Sequence, residues 1–136
     1  MPRILAIDYG LKRCGIAVSD PLRIIATPLT TVAANELFPF LTTYFETNEV
    51  DTIVIGLPKR LDNTDTHSTS FVLKAIDALN KKYPTKKTIP LDERFTSKIA
   101  LNAMIAGGTS KKNRANKATI DQISATIILQ DYMRGI

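Results

Sequence analysis

Four residues, Thr52 to Ile55 (TIVI), form a β-branched, water-averse run that Gly56 and Pro58 bring to a stop. A run this short has the length of a strand. With no alternation of apolar and polar residues, neither face is suited to water, so the segment reads as a central parallel strand. The strands and helices on either side must be arranged to bury it.

The rest of the chain supplies them. Arg3 to Tyr9 is a strand with an apolar body, stopped by Gly10. Gly15 to Ser19 is a second short strand and Ile24 to Val32 a third, with Pro21 in the turn between them; Pro28 marks the third as an edge or bulged strand. Asn35 to Asn48 has helical periodicity, and Pro39 must lie near its first turn or kink it. Asp65 to Tyr83 is a helix with an apolar face and a lysine-rich end, and Thr88 to Leu91 is the fifth strand. Thr96 or Ser97 caps a helix that runs through Ile105 and ends at Gly107-Gly108. Gly107 to Ala118 is an irregular loop rich in Gly, Lys and Asn, and Thr119 caps a last helix carrying Ile120, Ile123, Ile127, Ile128 and Met133.

The order βββαβαβαα predicts an α/β fold. Its sheet is mixed and five-stranded, a three-strand antiparallel meander plus parallel strands, with helices on both faces. Right-handed crossover places strand four beside strand one. The C-terminal ends of those two strands then meet, where open α/β sheets hold their sites. The length of 136 residues suits one domain, 1–136, and 44% hydrophobic residues suit a packed core. No apolar run approaches the roughly 20 residues of a spanning helix, so no membrane partner is expected. The single cysteine, Cys14, excludes an intramolecular disulfide framework and fits a reducing, cytoplasmic setting. Cys14 and the single histidine, His67, are too few for a zinc site and are read as structural.

Three acids stand where a site would form. Asp8 interrupts the apolar strand ILAID, where a carboxylate is costly unless paired or bound to a cation. Glu93 follows the fifth strand in Asp92-Glu93-Arg94, and Asp121 lies in the first turn of the last helix. Carboxylates from three elements can converge on a hard divalent cation, Mg²⁺ or Mn²⁺. Such a metal activates water and stabilises the leaving oxygen of a phosphodiester. Each acid has a structural alternative: the helix dipole favours Asp121, Asp92 and Glu93 can belong to a salt-bridged turn with Arg94, and Asp8, the hardest to explain so, can be a buried structural acid. Basic residues flank each proposed site motif: Lys12 and Arg13 after Asp8, Lys59 and Arg60 after Gly56-Leu57-Pro58, Arg94 beside Glu93, and Lys111, Lys112, Arg114 and Lys117 before Asp121. Together with a net charge of +5, they are candidates for binding nucleic-acid phosphates. Tyr9 reads as packing, with base stacking the alternative.

DYGLKRCGIAVSD (Asp8 to Asp20), GLP (Gly56 to Pro58), DERFTS (Asp92 to Ser97) and DQISATIIL (Asp121 to Leu129) resemble, in order and across nearly the whole chain, the motifs of the YqgF family. These are Holliday junction resolvase-like, or pre-16S rRNA, nucleases of bacteria. The resemblance implies an RNase H-like fold and a cytoplasmic, divalent-metal nuclease that hydrolyses phosphodiester bonds. It further implies 5′-end maturation of pre-16S rRNA, with the ribosome or pre-ribosome as a partner and Asp8, Glu93 and Asp121 as catalytic metal ligands. Structured RNA is the expected substrate and branched DNA the alternative. A non-catalytic nucleic-acid-binding module and an actin-like nucleotide binder are the competing classes; the latter needs two such domains. Monomer and homodimer are both open, since resolving a junction requires two cuts and no dimer stripe stands out.

Overall fold

The computed structural model describes residues 2–57, 67–92 and 117–134. Lys59, Arg60, Glu93, Arg94, Lys111, Lys112, Arg114 and the helix expected from Thr96 or Ser97 to Ile105 lie outside the described residues.

The elements follow the expected order. They are β1 (Arg3–Tyr9), β2 (Arg13–Ser19), β3 (Ala26–Ala33), a 3-10 turn (Ala34–Glu36), α1 (Leu37–Thr47), β4 (Val50–Leu57), α2 (His67–Lys82), β5 (Lys87–Asp92) and α3 (Lys117–Arg134). The strands form one sheet in the order β3-β2-β1-β4-β5. The β1–β2 and β2–β3 pairs are antiparallel, and β1–β4 and β4–β5 are parallel. This is the mixed five-stranded sheet that the element order predicts, with β4 beside β1 as the crossover rule requires. Thr52 through Gly56 are all buried, as the unbroken TIVI run demanded.

Strand alternation divides the core in two. Leu5, Ile7, Ile16, Ile53 and Ile55 pack with Leu37 and Leu41 of α1 and with Val72, Ala75 and Leu79 of α2. Ile4, Ala6, Ala17 and Val54 pack with Ala125, Ile128 and Leu129 of α3. Pro39 is the third residue of α1, in the first turn, where its missing N–H costs nothing. Pro28 sits on the edge strand at a register shift, since Ile16 faces Thr30 while Ala17 faces Pro28. Both roles were expected of these prolines.

Several boundaries move: β2 starts at Arg13 and not at Gly15, β4 and β5 extend beyond Thr52 to Ile55 and Thr88 to Leu91, and α1 starts at Leu37 after a 3-10 turn. The third strand starts at Ala26, because Ile24 and Ile25 are held in the preceding turn: both their amides donate to Asp20 Oδ1, at 2.7 Å each. Arg23, in the same turn, adopts a left-handed backbone (φ 59°). The last helix is already formed at Lys117, so Thr119 is not its cap, and Lys117 and Ala118 are helical residues and not loop. Asp121 therefore lies in the second turn, beyond the reach of the dipole effect that would favour an acid in the first. Its place in the sequence needs another reason.

α3 sits very close to the sheet at one point. Gly15 of β2 pairs with Asp8 of β1 and lies directly beneath Asp121. A Cβ on Gly15 would run into the Asp121 carbonyl and come within 2.9 Å of its Cβ. Because the obstacle is helix backbone, the helix itself would have to shift. We expect Gly15→Ala to destabilise the protein by about 3 kcal/mol, at the upper end of overpacking costs, as measured by denaturant unfolding. A change below about 0.5 kcal/mol, the level of an ordinary surface substitution, would show that α3 is not seated on this glycine.

Candidate active site

Asp8 shares strand parity with Ile4 and Ala6, which places it on the α3 face. Asp121 precedes Ala125 by one helical turn and continues the stripe Ala125, Ile128, Leu129 toward the sheet. One carboxylate thus rises from β1 and another comes down from α3, with the backbone of Gly15 beside them. The arrangement is costly for Asp8. Burial, and secondarily the charge of Asp121, raise its pKa from 3.8 to about 6.

A positive charge meets the pair from the side. Arg13 opens β2, two residues before Gly15 and on the same face, and its Nε donates to Asp121 Oδ2 at 2.5 Å. Both side chains keep some exposure, 35% for Arg13 and 20% for Asp121. The turn leading to Arg13 depends on Gly10, where a Cβ would come within 2.5 Å of the Arg13 carbonyl oxygen. Close approach explains this glycine; its φ is not positive. Lys12, on the same turn, is exposed. The Lys117 backbone begins α3 on the approach to Asp121.

The fourth strand contributes space. Ile7 is level with Ile55, so Gly56 follows beside Asp8 and adds no side chain. Gly56 pairs in turn with Leu91 of β5, which packs in the α3-side core. Among the described residues, Asp8 and Asp121 are a pair and no cluster of three metal-ligating side chains closes. Glu93, the expected third member, falls just past the end of β5 and outside the described residues.

Other residues of the first motif have structural duties. Cys14 is buried on the opposite face, and burial pushes its thiol up to about 11, so it is an inert core group. Tyr9 packs against Phe71 with ring centroids 4.9 Å apart. Asp20, the last motif acid, lies in the β2–β3 turn, where the amides of Ile25 and Ile24 hold its carboxyl below the usual range. Sequence reading did not anticipate Gly15 as the floor under α3, or Arg13 as the partner of Asp121. The signal for both was present in strand parity, since 13 and 15 share a face with residue 8.

The sequence matches the RuvX family, described as Holliday junction resolvase, over residues 2–135. The chain belongs to the RuvX family. Curated relatives agree along their whole length. One from Christiangramia forsetii is 48% identical over 133 residues, covering 98% of both chains. One from Flavobacterium johnsoniae is 48% identical across 98% of this chain and 96% of its own, and one from Phocaeicola vulgatus is 48% identical across 99% and 97%. Each carries the name "Putative pre-16S rRNA nuclease". Among solved structures, YeaZ from Pseudomonas aeruginosa aligns with 79% of this chain and 50% of its own, at 16% identity and a TM-score of 0.48. RuvX membership rests on the sequence relatives alone, and it identifies the chain as a nuclease, a hydrolase of phosphodiester bonds.

The raised pKa of Asp8 has a consequence for stability. Between pH 3.8 and about 6 the folded protein holds the Asp8 proton more tightly than the unfolded chain does, so stability falls as pH rises through that window. At neutral pH the cost approaches about 3 kcal/mol. Asp8→Asn keeps the shape and removes the charge. In EDTA at pH 7.5 this variant is expected to melt above wild type, with the gap closing below pH 4. Mg²⁺ at tenfold its dissociation constant should restore about 1.4 kcal/mol to wild type and less to the variant. Thermal melts of both proteins check this; a lower melting temperature for the metal-free variant would make Asp8 a hydrogen-bonded structural acid.

Proposed function

We propose that this RuvX-family nuclease uses a divalent cation, Mg²⁺ or Mn²⁺, held by Asp8, Asp121 and Glu93, to cut structured RNA, with pre-16S rRNA near its 5′ end as the natural substrate. The observation that carries this reading is the Asp8–Asp121 pair. Two carboxylates on different elements face the same space, and the resulting repulsion, added to burial, raises the pKa of one of them. Hard oxygen donors from carboxylates are the donor set that Mg²⁺ and Mn²⁺ prefer. Glu93, two residues past Leu91 in the sequence, is assigned as the third ligand.

When bound, the cation supplies an activated water and charge for the leaving oxygen. The chain's own residues do the rest. The exposed Lys12 offers a phosphate contact beside Asp8. Arg13, Lys59, Arg60, Arg94, Lys111, Lys112, Arg114 and Lys117 adjoin the acidic segments in sequence and are assigned to the same electrostatic surface. The names of the relatives favour RNA, and with it a cytoplasmic enzyme that meets the pre-ribosome. The family's description favours a second reading, cleavage of four-way DNA junctions.

A pre-16S rRNA fragment and a four-way DNA junction, incubated side by side with Mg²⁺, Mn²⁺ or EDTA, separate the two. We expect cleavage of the RNA with either metal and none in EDTA. Asp8→Asn, Glu93→Gln and Asp121→Asn should each lower the rate by at least about a hundredfold with the circular-dichroism spectrum unchanged, the scale of losing a group that acts in the transition state. Cutting of the junction alone would select the second reading, and full activity in any one variant would remove that residue from the set.

A further inference from the structure

We infer that Arg13 and the divalent cation are alternative partners of the Asp121 carboxylate, so that loading the site releases the Arg13 guanidinium toward the phosphates of the nucleic acid. The inference rests on the proposed metal site and adds a positioning residue that exchanges places with the metal.

Three observations lead to it. First, Arg13 Nε lies 2.5 Å from Asp121 Oδ2, on one of the three carboxylates proposed to hold the cation. A dication on that carboxylate would stand well within a Debye length of the guanidinium, roughly 8 Å at physiological salt, and the two positive charges would repel. Second, the Arg13 side chain is free to leave. Its backbone is fixed in β2, opposite Ala33, but its side chain is 35% exposed, and partly solvated ion pairs contribute little. Third, it has a destination. Arg13 follows the exposed Lys12 on the turn beside Asp8, and a guanidinium suits bidentate capture of a phosphate. The pair also keeps Asp121 compensated while it stands next to Asp8, and that role passes to the cation on exchange.

Linkage makes the exchange measurable. Whatever factor the Arg13–Asp121 pair subtracts from metal affinity, the metal subtracts from the pair. In EDTA-treated protein, the Arg13 Nε–H resonance, assigned by comparison with Arg13→Gln, should show a hydrogen-bonded shift and slow solvent exchange. On titration with Mg²⁺ it should lose both along the same isotherm that moves the Asp121 backbone amide. Arg13→Gln should bind Mn²⁺, followed by its electron paramagnetic resonance signal, at least about fivefold more tightly than wild type, the lower end of such couplings. The inference is overturned if the Asp121 amide responds while the Arg13 Nε–H stays protected and Arg13→Gln binds Mn²⁺ no more tightly; Arg13 is then a fixed strut. If neither resonance responds and no Mn²⁺ binds, the metal site itself is refuted and the exchange with it, a pattern distinct from the first.

Discussion

The seating of α3 on the bare backbone of Gly15 is the contact from which the rest of the site follows. The apolar stripe Ala125, Ile128 and Leu129 pulls the helix onto Ile4, Ala6, Ala17 and Val54. That attraction is non-directional and would tolerate many positions. Gly15 makes one of them special, because only a residue without a Cβ lets the helix backbone come down at Asp121. The same approach sets Asp121 next to Asp8, which pairs with Gly15 across the strands. Packing and the meeting of two acids are one event.

The site is expensive, and magnitudes show that the protein does not fully offset it. The charge on Asp8 costs about 3 kcal/mol at neutral pH when its shift is converted at 1.36 kcal/mol per unit. The Arg13–Asp121 pair, partly open to solvent, returns about 1 kcal/mol or less. A structural role alone would not sustain that imbalance, since an apolar residue at position 8 would pack with Ile4 and Ala6 at no charge cost. The contrast with the opposite pole of the sheet is instructive. There Asp20 is satisfied by two backbone amides, and Asp51 is bound by Arg23, with the Arg23 and Thr52 side chains lowering its pKa. Acids that stabilise the fold have their pKa lowered, whereas Asp8, aligned with Asp121, has its pKa raised.

Much of this was legible before any coordinates. β1 was bounded correctly at Arg3 and Tyr9, because Gly10 ends it and its composition is unambiguous. The burial of Thr52 to Ile55 followed from four β-branched residues in a row. Pro28 signalled the edge strand because its nitrogen cannot join a ladder. Among the boundaries that failed, the start of β3 was set by a side chain four and five residues back in the chain. Ile24 and Ile25 look like strand residues, but Asp20 holds their amides in a turn. Thr119 looks like a cap, yet the helix already runs at Lys117.

The sequence by itself determined the identity of the acids, the strand parity that puts Asp8 on one face, and the helical spacing that puts Asp121 on the stripe of Ala125. These are local periodicities, 2 for a strand and 3.6 for a helix, and they need no knowledge of neighbours. Only the tertiary structure decided that the two faces are the same face, that Gly15 is the point of contact, and that Arg13 reaches Asp121 from 108 residues away along the chain. Those facts depend on how closely a helix can approach a sheet, and that distance is set by side-chain volume between elements that do not adjoin in sequence.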